Sequence, residues 1–312
     1  MTSDPLPAPR VSVYEPLLGT VVEVRVHAAD SSAAALADAR VLAEMRRLEH
    51  IFSVFDETSE LCRWRRGEDF EHSMEFVELL RTALHWQVVG GGAFNPAAGV
   101  LSRAWVAAER EGREPDAGLL AELAESINAP RYRVDDDATT RIGDCSSLNF
   151  NAIAKGFVVD RAVDAGMTDT AVTSVTVNAG GDLCHRGEGS LAVGIENPAT
   201  PYDNAVPLMV VDIANRGLAT SGSSRRGFRI GGRRYSHVLD PRTGHPVDHI
   251  LSATVIAADA GTADAIATVT GVLDASAGVA FVDALDDADS CVVDAHGTLW
   301  RSTGWADYER VR

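Results

Sequence analysis

The chain has 312 residues, 46% hydrophobic and 23% charged, an ordinary globular composition that supplies a sizeable core and argues against wholesale disorder. Its 45 acidic against 28 basic residues leave a net charge of -17, which repels nucleic acid and anionic membrane surfaces and argues against a polyanion as main partner. Small phosphate-bearing ligands stay open, because a few backbone amides, one cation and a metal hold them against an adverse field.

The N-terminus has no apolar run after a basic start, and no stretch of about 18 apolar residues occurs anywhere, so no membrane insertion is expected. As written the chain reads as cytoplasmic, although one trimmed of an export leader would look the same. Residues 1–10 are expected to form a disordered tail on a single domain, 1–312. Within 11–27, Val22, Val24 and Val26 alternate with Glu23, Arg25 and His27, the pattern of a half-buried strand. Ala34, Ala37, Val41, Met45, Leu48 and Phe52 then recur at steps of three and four, predicting a long amphipathic helix with Ser31 and Ser32 available as caps. A second helix is predicted over 73–89, ended by the glycines 90–92, which open a loop into Ala93-Phe94-Asn95-Pro96.

Residues 109–120 are charged and punctuated by Gly and Pro, and a short helix through Leu120, Leu123 and Ile127 follows. Strands are expected around 132–142 and 147–150, a helix from Lys155 to Met167, and a β-branched strand ending at Gly180-Gly181. Several strands over 191–256, a helix over 262–273 and a strand over 290–293 complete the chain. Helices and strands mix without a βαβ rhythm, which favours the α+β class. Cys62, Cys145, Cys184 and Cys291 form no Cys-x-x-Cys pair, so neither a zinc site nor a disulfide scaffold is suggested.

Four segments carry polar chemistry. The turn at 148–155, ending in Lys155, reads as an anion site at a helix start, or as a plain strand-to-helix turn. Gly180 and Gly181 let backbone approach a ligand, with Asp182 as acceptor; the same residues serve equally as turn and cap. Asp264 and Thr268 stand four apart on one helix face and offer hard oxygen ligands suited to Mg²⁺, whereas a structural Asp–Arg pair would use the same carboxylate. The segment 219–247 carries the basic pairs Arg225-Arg226 and Arg233-Arg234, and His237 before an Asp240-Pro241-Arg242-Thr243-Gly244 turn. Such a histidine exchanges protons near neutral pH or is structural, and His245 and His249 compete with it for the role.

In their order, PLLGT at 16–20, FSVFDETSEL at 52–61, GGAFNPAAGVL at 91–101, NFNAIAKGFVVDRA at 149–162 with VNAGGDL after it, and SHVLDPRTGHPV followed by DAIAT resemble the ApbE-like FAD:protein FMN transferases. The resemblance spans about residues 14–300. It implies largely antiparallel sheets with helices and an active site in a cleft between two subdomains. It also implies FAD as substrate, Mg²⁺ as cofactor, and transfer of FMN onto a threonine or serine hydroxyl of an acceptor flavoprotein, with release of AMP.

By the same resemblance, Asp264, Thr268 and the Ala152 carbonyl would hold the metal, and His237 and Lys155 would be catalytic. Leu18, Phe55, Ala93, Phe94, Asn95, Asn149, Lys155, Gly180, Gly181, Asp182, Ser221 and His237 would contact the flavin nucleotide. The chain departs from the family pattern at Asn95 and Asn149, where aspartate is common, at Ser223, where an acid is frequent, and at Phe55, where tyrosine is usual. An amide brings no charge to such contacts. Two other readings share the site: an FAD pyrophosphatase yielding FMN and AMP, and a non-catalytic FAD-binding protein.

Overall fold

A computed structural model of the chain describes residues 8–135, 138–202, 204–223 and 226–310. The chain opens on β1 (Arg10–Leu17) and β2 (Thr20–Ala28), so the alternating region holds two strands instead of one. The break is Leu18-Gly19, a two-residue hairpin turn with φ of 53° and 69°. That pair of left-handed conformations matches the twist of the flanking strands. Arg10 already lies in β1 and bonds Asp38 at 2.8 Å, so the tail expected over 1–10 is shorter at that end; residues 1–7 lie outside the described residues.

The long helix is α1 (Ser31–Phe52). Its cap is Asp30, whose carboxylate accepts from the Ser32 and Ala33 N–H groups, while Ser31 and Ser32 lie inside the helix. Next come α2 (Glu60–Arg66) and α3 (Met74–Val89), the latter capped by Ser73 and stopped at Gly90. Two helices follow, α4 (Gly99–Glu111) and α5 (Ala117–Asn128), then a short hairpin of β3 (Tyr132–Val134) and β4 (Thr139–Arg141).

The strand expected at 147–150 is a turn: the Leu148 N–H bonds the Cys145 carbonyl and the Asn149 N–H bonds the Pro96 carbonyl. It enters α6 (Asn151–Gly166), which starts four residues before the predicted Lys155. β5 (Val172–Ala179) and β6 (Asp182–Gly187) form a hairpin across Gly180-Gly181. After β7 (Leu191–Ile195) and β8 (Met209–Ile213) come β9 (Gly217–Gly222), the hairpin β10 (Gly227–Ile230) with β11 (Arg233–Ser236), and β12 (Ile250–Ala257). The chain ends with α7 (Ala260–Thr270), α8 (Ala275–Asp283), β13 (Ala288–Asp294) and β14 (Leu299–Arg301).

Among the described residues one eight-stranded sheet runs β1-β2-β5-β6-β9-β12-β13-β14, every neighbouring pair antiparallel. Period-two alternation sends Val22, Val24, Val26, Val175, Val177, Ala253 and Val255 to the face packed by α1, α6 and α7. Leu183, Leu218, Ile256 and Cys291 point to the other face, where β7, β8 and Trp305 cover them. The class is α+β, as the sequence implies.

One crossing positions the site. A Cβ placed on Gly156 of α6 would lie 2.3 Å from the Ala260 carbonyl oxygen, so α6 and α7 touch backbone to backbone there. Asp160, one turn further along α6, accepts the Ala260 and Gly261 N–H groups, each at 2.8 Å. These are the first amides of α7, which an anion stabilises.

Candidate functional site

The β1–β2 and β5–β6 turns share one end of the sheet: a Cβ on Gly180 would meet the Thr20 hydroxyl at 2.5 Å. Gly180 and Gly181 take φ of 64° and 105°, a bend that favours glycine, and the Asn178 side chain accepts the Gly181 N–H at 3.1 Å. Asp182 follows, its side chain 4% exposed, and it is ion-paired with the Lys155 ammonium reaching over from α6. Leu18, in the neighbouring turn, donates its N–H to Glu49 Oε1 at 2.8 Å.

Asp264 on α7 completes this cluster. Burial pushes its carboxyl above the usual carboxylate range, with the Lys155 charge and the Gly156 N–H pulling the other way. Its Oδ2 is buried without a hydrogen-bond partner. Such an oxygen is costly to leave unmatched, and a cation satisfies it. Ala152 precedes Gly156 by one turn of α6, the helix that crosses α7 here. Thr268 lies one turn beyond Asp264 on the same face of α7. These groups fit a hard cation: one carboxylate, one hydroxyl and one carbonyl. Among the described residues no group of three or more His, Cys, Asp or Glu gathers for a metal, and the set around Asp264 is a sparser kind.

Lys155 stands in the second turn of α6 and not at its start. The helix start is largely committed: Asn149 Oδ1 accepts the Asn151 N–H at 2.8 Å, and the Phe150 carbonyl takes the Ile153 and Ala154 N–H groups. The positive charge offered to an anion here is therefore the ammonium more than the helix end.

His237 belongs to a second wall. It follows β11 directly, is half-buried, and its Nδ1 is buried with no partner. Burial pushes its pKa below the ordinary histidine value; the Arg226 carbonyl opposes the shift, while the Arg226 and Arg234 charges add to it. Arg225 lies outside the described residues. The following turn is fastened to α4, because Trp105 Nε1 donates to the Gly244 carbonyl at 2.9 Å and Trp105 stacks on Phe228 and packs at a tilt against Tyr235.

The loop after α3 joins the walls. Gly90 packs against Val269 of α7, and Gly92 sits 3.6 Å, by its would-be Cβ, from the Arg242 side chain. Ala93 and Phe94 are each 1% exposed and sit in the core. Asn95 is buried and uses both halves of its amide internally: Oδ1 accepts the Ala97 N–H at 2.9 Å and Nδ2 donates to the Ile127 carbonyl at 3.1 Å. An aspartate has no donor for Ile127, which gives the amide a structural reason. Phe55 is 91% exposed on the loop before α2, and Ser221 on β9 lies against Gly271 at the end of α7.

Lys155, Asp182, Asp264, Gly180 and Gly181 thus gather at one sheet end with Leu18, and Ala152 and Thr268 join through their helices. His237 stands on the other wall. Sequence reasoning passed over Trp105, although Leu101, Trp105 and Ala108 carry helical spacing, and over Asp160, five residues after Lys155 in a stretch already singled out.

The ApbE family model matches residues 18–292. The FAD:protein FMN transferase of Haemophilus influenzae is 29% identical over 231 residues, 69% of this chain and 66% of that protein. The FAD:protein FMN transferase of Rhodobacter capsulatus is 28% identical over 271 residues, 84% of this chain but 51% of that protein, so the chain spans about half its length. The crystal structure of the ApbE protein from Thermotoga maritima superposes with a TM-score of 0.84 at 26% identity, covering 97% of this chain and 100% of that one. With a family match over most of its length, this chain belongs to the ApbE family.

Proposed function

We propose that the chain is an FAD:protein FMN transferase that moves FMN from FAD onto a threonine or serine hydroxyl of an acceptor protein and releases AMP. The observation that carries this reading is the buried, unpartnered Asp264 Oδ2 beside the Lys155–Asp182 ion pair. It pairs a buried anionic oxygen with a neighbouring cation, an arrangement suited to a metal and a pyrophosphate.

In the transfer the acceptor oxygen attacks the FMN-side phosphorus and the P–O bond toward the AMP phosphate breaks. The electron pair of that bond leaves with AMP, and the hydroxyl proton passes to the His237 imidazole. Because burial lowers its pKa, His237 is neutral near pH 7 and able to accept that proton. Lys155 places its ammonium against phosphate oxygens, with Asp182 fixing its position. Asp264, Thr268 and the Ala152 carbonyl would hold Mg²⁺, which when bound supplies positive charge against the pyrophosphate. Asp160 keeps the two helices in register.

Incubation with FAD, Mg²⁺ and a candidate acceptor tests the reading. Covalent flavin fluorescence on a denaturing gel, with AMP released and both lost in Asp264→Asn, supports it. Free FMN and AMP without flavin on protein would make the chain a pyrophosphatase, and tight FAD binding without AMP would make it a carrier.

A further inference from the structure

Arg233 has no part in the chemistry above, yet with Arg234 it lies in a groove of about 600 Å³ beside the histidine wall. All four residues of β11, Arg233, Arg234, Tyr235 and Ser236, line it, and residues 245–248 form its second side. Trp105 lines it as well, 5.2 Å from the Tyr235 ring by centroid.

Both sides run into His237. β11 ends at the residue before it, and the chain just after it pairs with the second side. The Val247 N–H bonds the Val238 carbonyl at 2.9 Å, and the Asp240 N–H bonds the His245 carbonyl at 2.9 Å. The groove therefore ends beside the histidine, which lies just past the residues that line it. Among the described residues β11 pairs only with β10, which leaves its other edge to the groove. An unpaired strand edge recruits an extended segment through main-chain hydrogen bonds. At about 3.3 Å per residue, four residues of β11 give roughly 13 Å of edge, room for a short segment and not for a folded domain.

Charge narrows the occupant. In a chain of net charge -17 this edge carries two arginines, and the Arg233 guanidinium lies 5.0 Å from the Tyr235 ring centroid, presented toward the groove on an aromatic support. Two acids also line the groove: Glu114 is engaged by the Tyr235 hydroxyl, and Asp248 stands on the second side, so the positive charge belongs to the β11 edge alone.

We propose that this groove is the docking site of the acceptor protein, which adds an extended segment to the free edge of β11, an acidic side chain against Arg233 and the target hydroxyl at His237. The proposal rests on the transferase reading, and its test separates the two. A displayed library of twelve-residue peptides, each with one central threonine, is treated with the full chain, FAD and Mg²⁺, and the flavin-linked members are sequenced. The expected result is enrichment of acidic residues at one fixed offset from the threonine. That preference should reverse toward Lys and Arg in Arg233→Glu, and methylation of alternate backbone amides in a selected peptide should lower transfer at least tenfold.

Arg233→Glu should keep wild-type FAD affinity, read by quenching of flavin fluorescence. An unchanged peptide preference in that variant, with peptides still flavin-linked, overturns the docking site and leaves the transferase reading standing; AMP release with no linked peptide overturns the docking site and, where a whole acceptor protein also stays unlinked, makes the chain a pyrophosphatase. A loss of FAD affinity in Arg233→Glu equally overturns it, because the groove would then hold the nucleotide. Absence of both FAD binding and AMP release in the wild type overturns the transferase reading itself.

Discussion

Lys155, in the second turn of α6, is ion-paired with Asp182, the first residue of β6, and its charge also reaches Asp264 on α7. One ammonium thus balances two buried carboxylates from two other elements. Breaking a buried pair costs more than the pair is worth, because a charge is left without compensation. The Lys155 side chain is 34% exposed, so solvent screens part of this, and Lys155→Met should destabilise by about 1–3 kcal/mol. Asp182→Asn should cost less, and the double variant should recover part of the loss. Urea unfolding of the four proteins measures the coupling; strictly additive effects would show that the pair does not bind the elements together.

Gly156→Ala sets two effects against each other. Alanine favours a helix interior by about 1 kcal/mol, but here its methyl would sit 2.3 Å from the Ala260 oxygen and 2.7 Å from the Gly261 nitrogen. Both are backbone atoms that no rotamer change relieves. Overpacking of this kind costs about 1–3 kcal/mol or more, so the variant should be less stable despite its propensity. Because α6 carries Ala152 and α7 carries Asp264, the stabilisation that Mg²⁺ gives the wild type in a melting experiment should shrink. A variant as stable as wild type would refute the tight crossing.

The parts of the fold readable from sequence were those with a strong period: the valines of β2, the apolar stripe of α1, the glycine stop after α3. The misread parts had local reasons. Leu18-Gly19 broke a run of strand residues because a leucine took a left-handed conformation, held by a distant Glu49. Residues 147–150 alternate polar Ser147 and Asn149 with apolar Leu148 and Phe150, as a strand would, yet their backbone bonds go to Cys145 and Pro96. The charged end of α4 masks the helical spacing of Leu101, Trp105 and Ala108. Within the site, Asp264, Lys155 and Asp182 were recognisable as separate residues. Their meeting depends on Gly156 and Asp160 holding two helices together, a contact about one hundred residues apart in the chain that no local spacing encodes.

The histidine predicts a pH profile. A group whose folded pKa is lowered stays neutral further into acid, so transfer that needs neutral His237 should persist below the ordinary histidine range and fall only beneath it. Asp160 crosses the same window, since burial holds its carboxyl up to about 6 against the pull of the Ala260 N–H. His237→Gln separates the histidine from the carboxyls: it should transfer FMN at least tenfold more slowly at neutral pH, and whatever acid limb it retains belongs to the raised carboxyls of Asp160 and Asp264. Initial rates from about pH 8 down to about pH 5 give the comparison. An unchanged rate in His237→Gln would remove the histidine from proton transfer.

Trp105 tests whether the histidine wall is held from a distance. Phenylalanine keeps the ring but loses Nε1, leaving the Gly244 carbonyl without its donor beneath Leu101 and Leu120. An orphaned buried acceptor costs about 1–3 kcal/mol, and the loss falls on the turn that follows His237. Trp105→Phe should therefore lower kcat for transfer more than it weakens FAD binding, since Lys155 and Asp264 stand on other elements. A merely structural role would lower the melting temperature and leave kcat per folded molecule unchanged. Trp105→Leu, which also removes the ring contacts with Phe228 and Tyr235, should lower kcat further in the same direction. If both variants transfer at the wild-type rate while melting earlier, the wall keeps its geometry without α4 and the coupling from Trp105 to His237 is refuted.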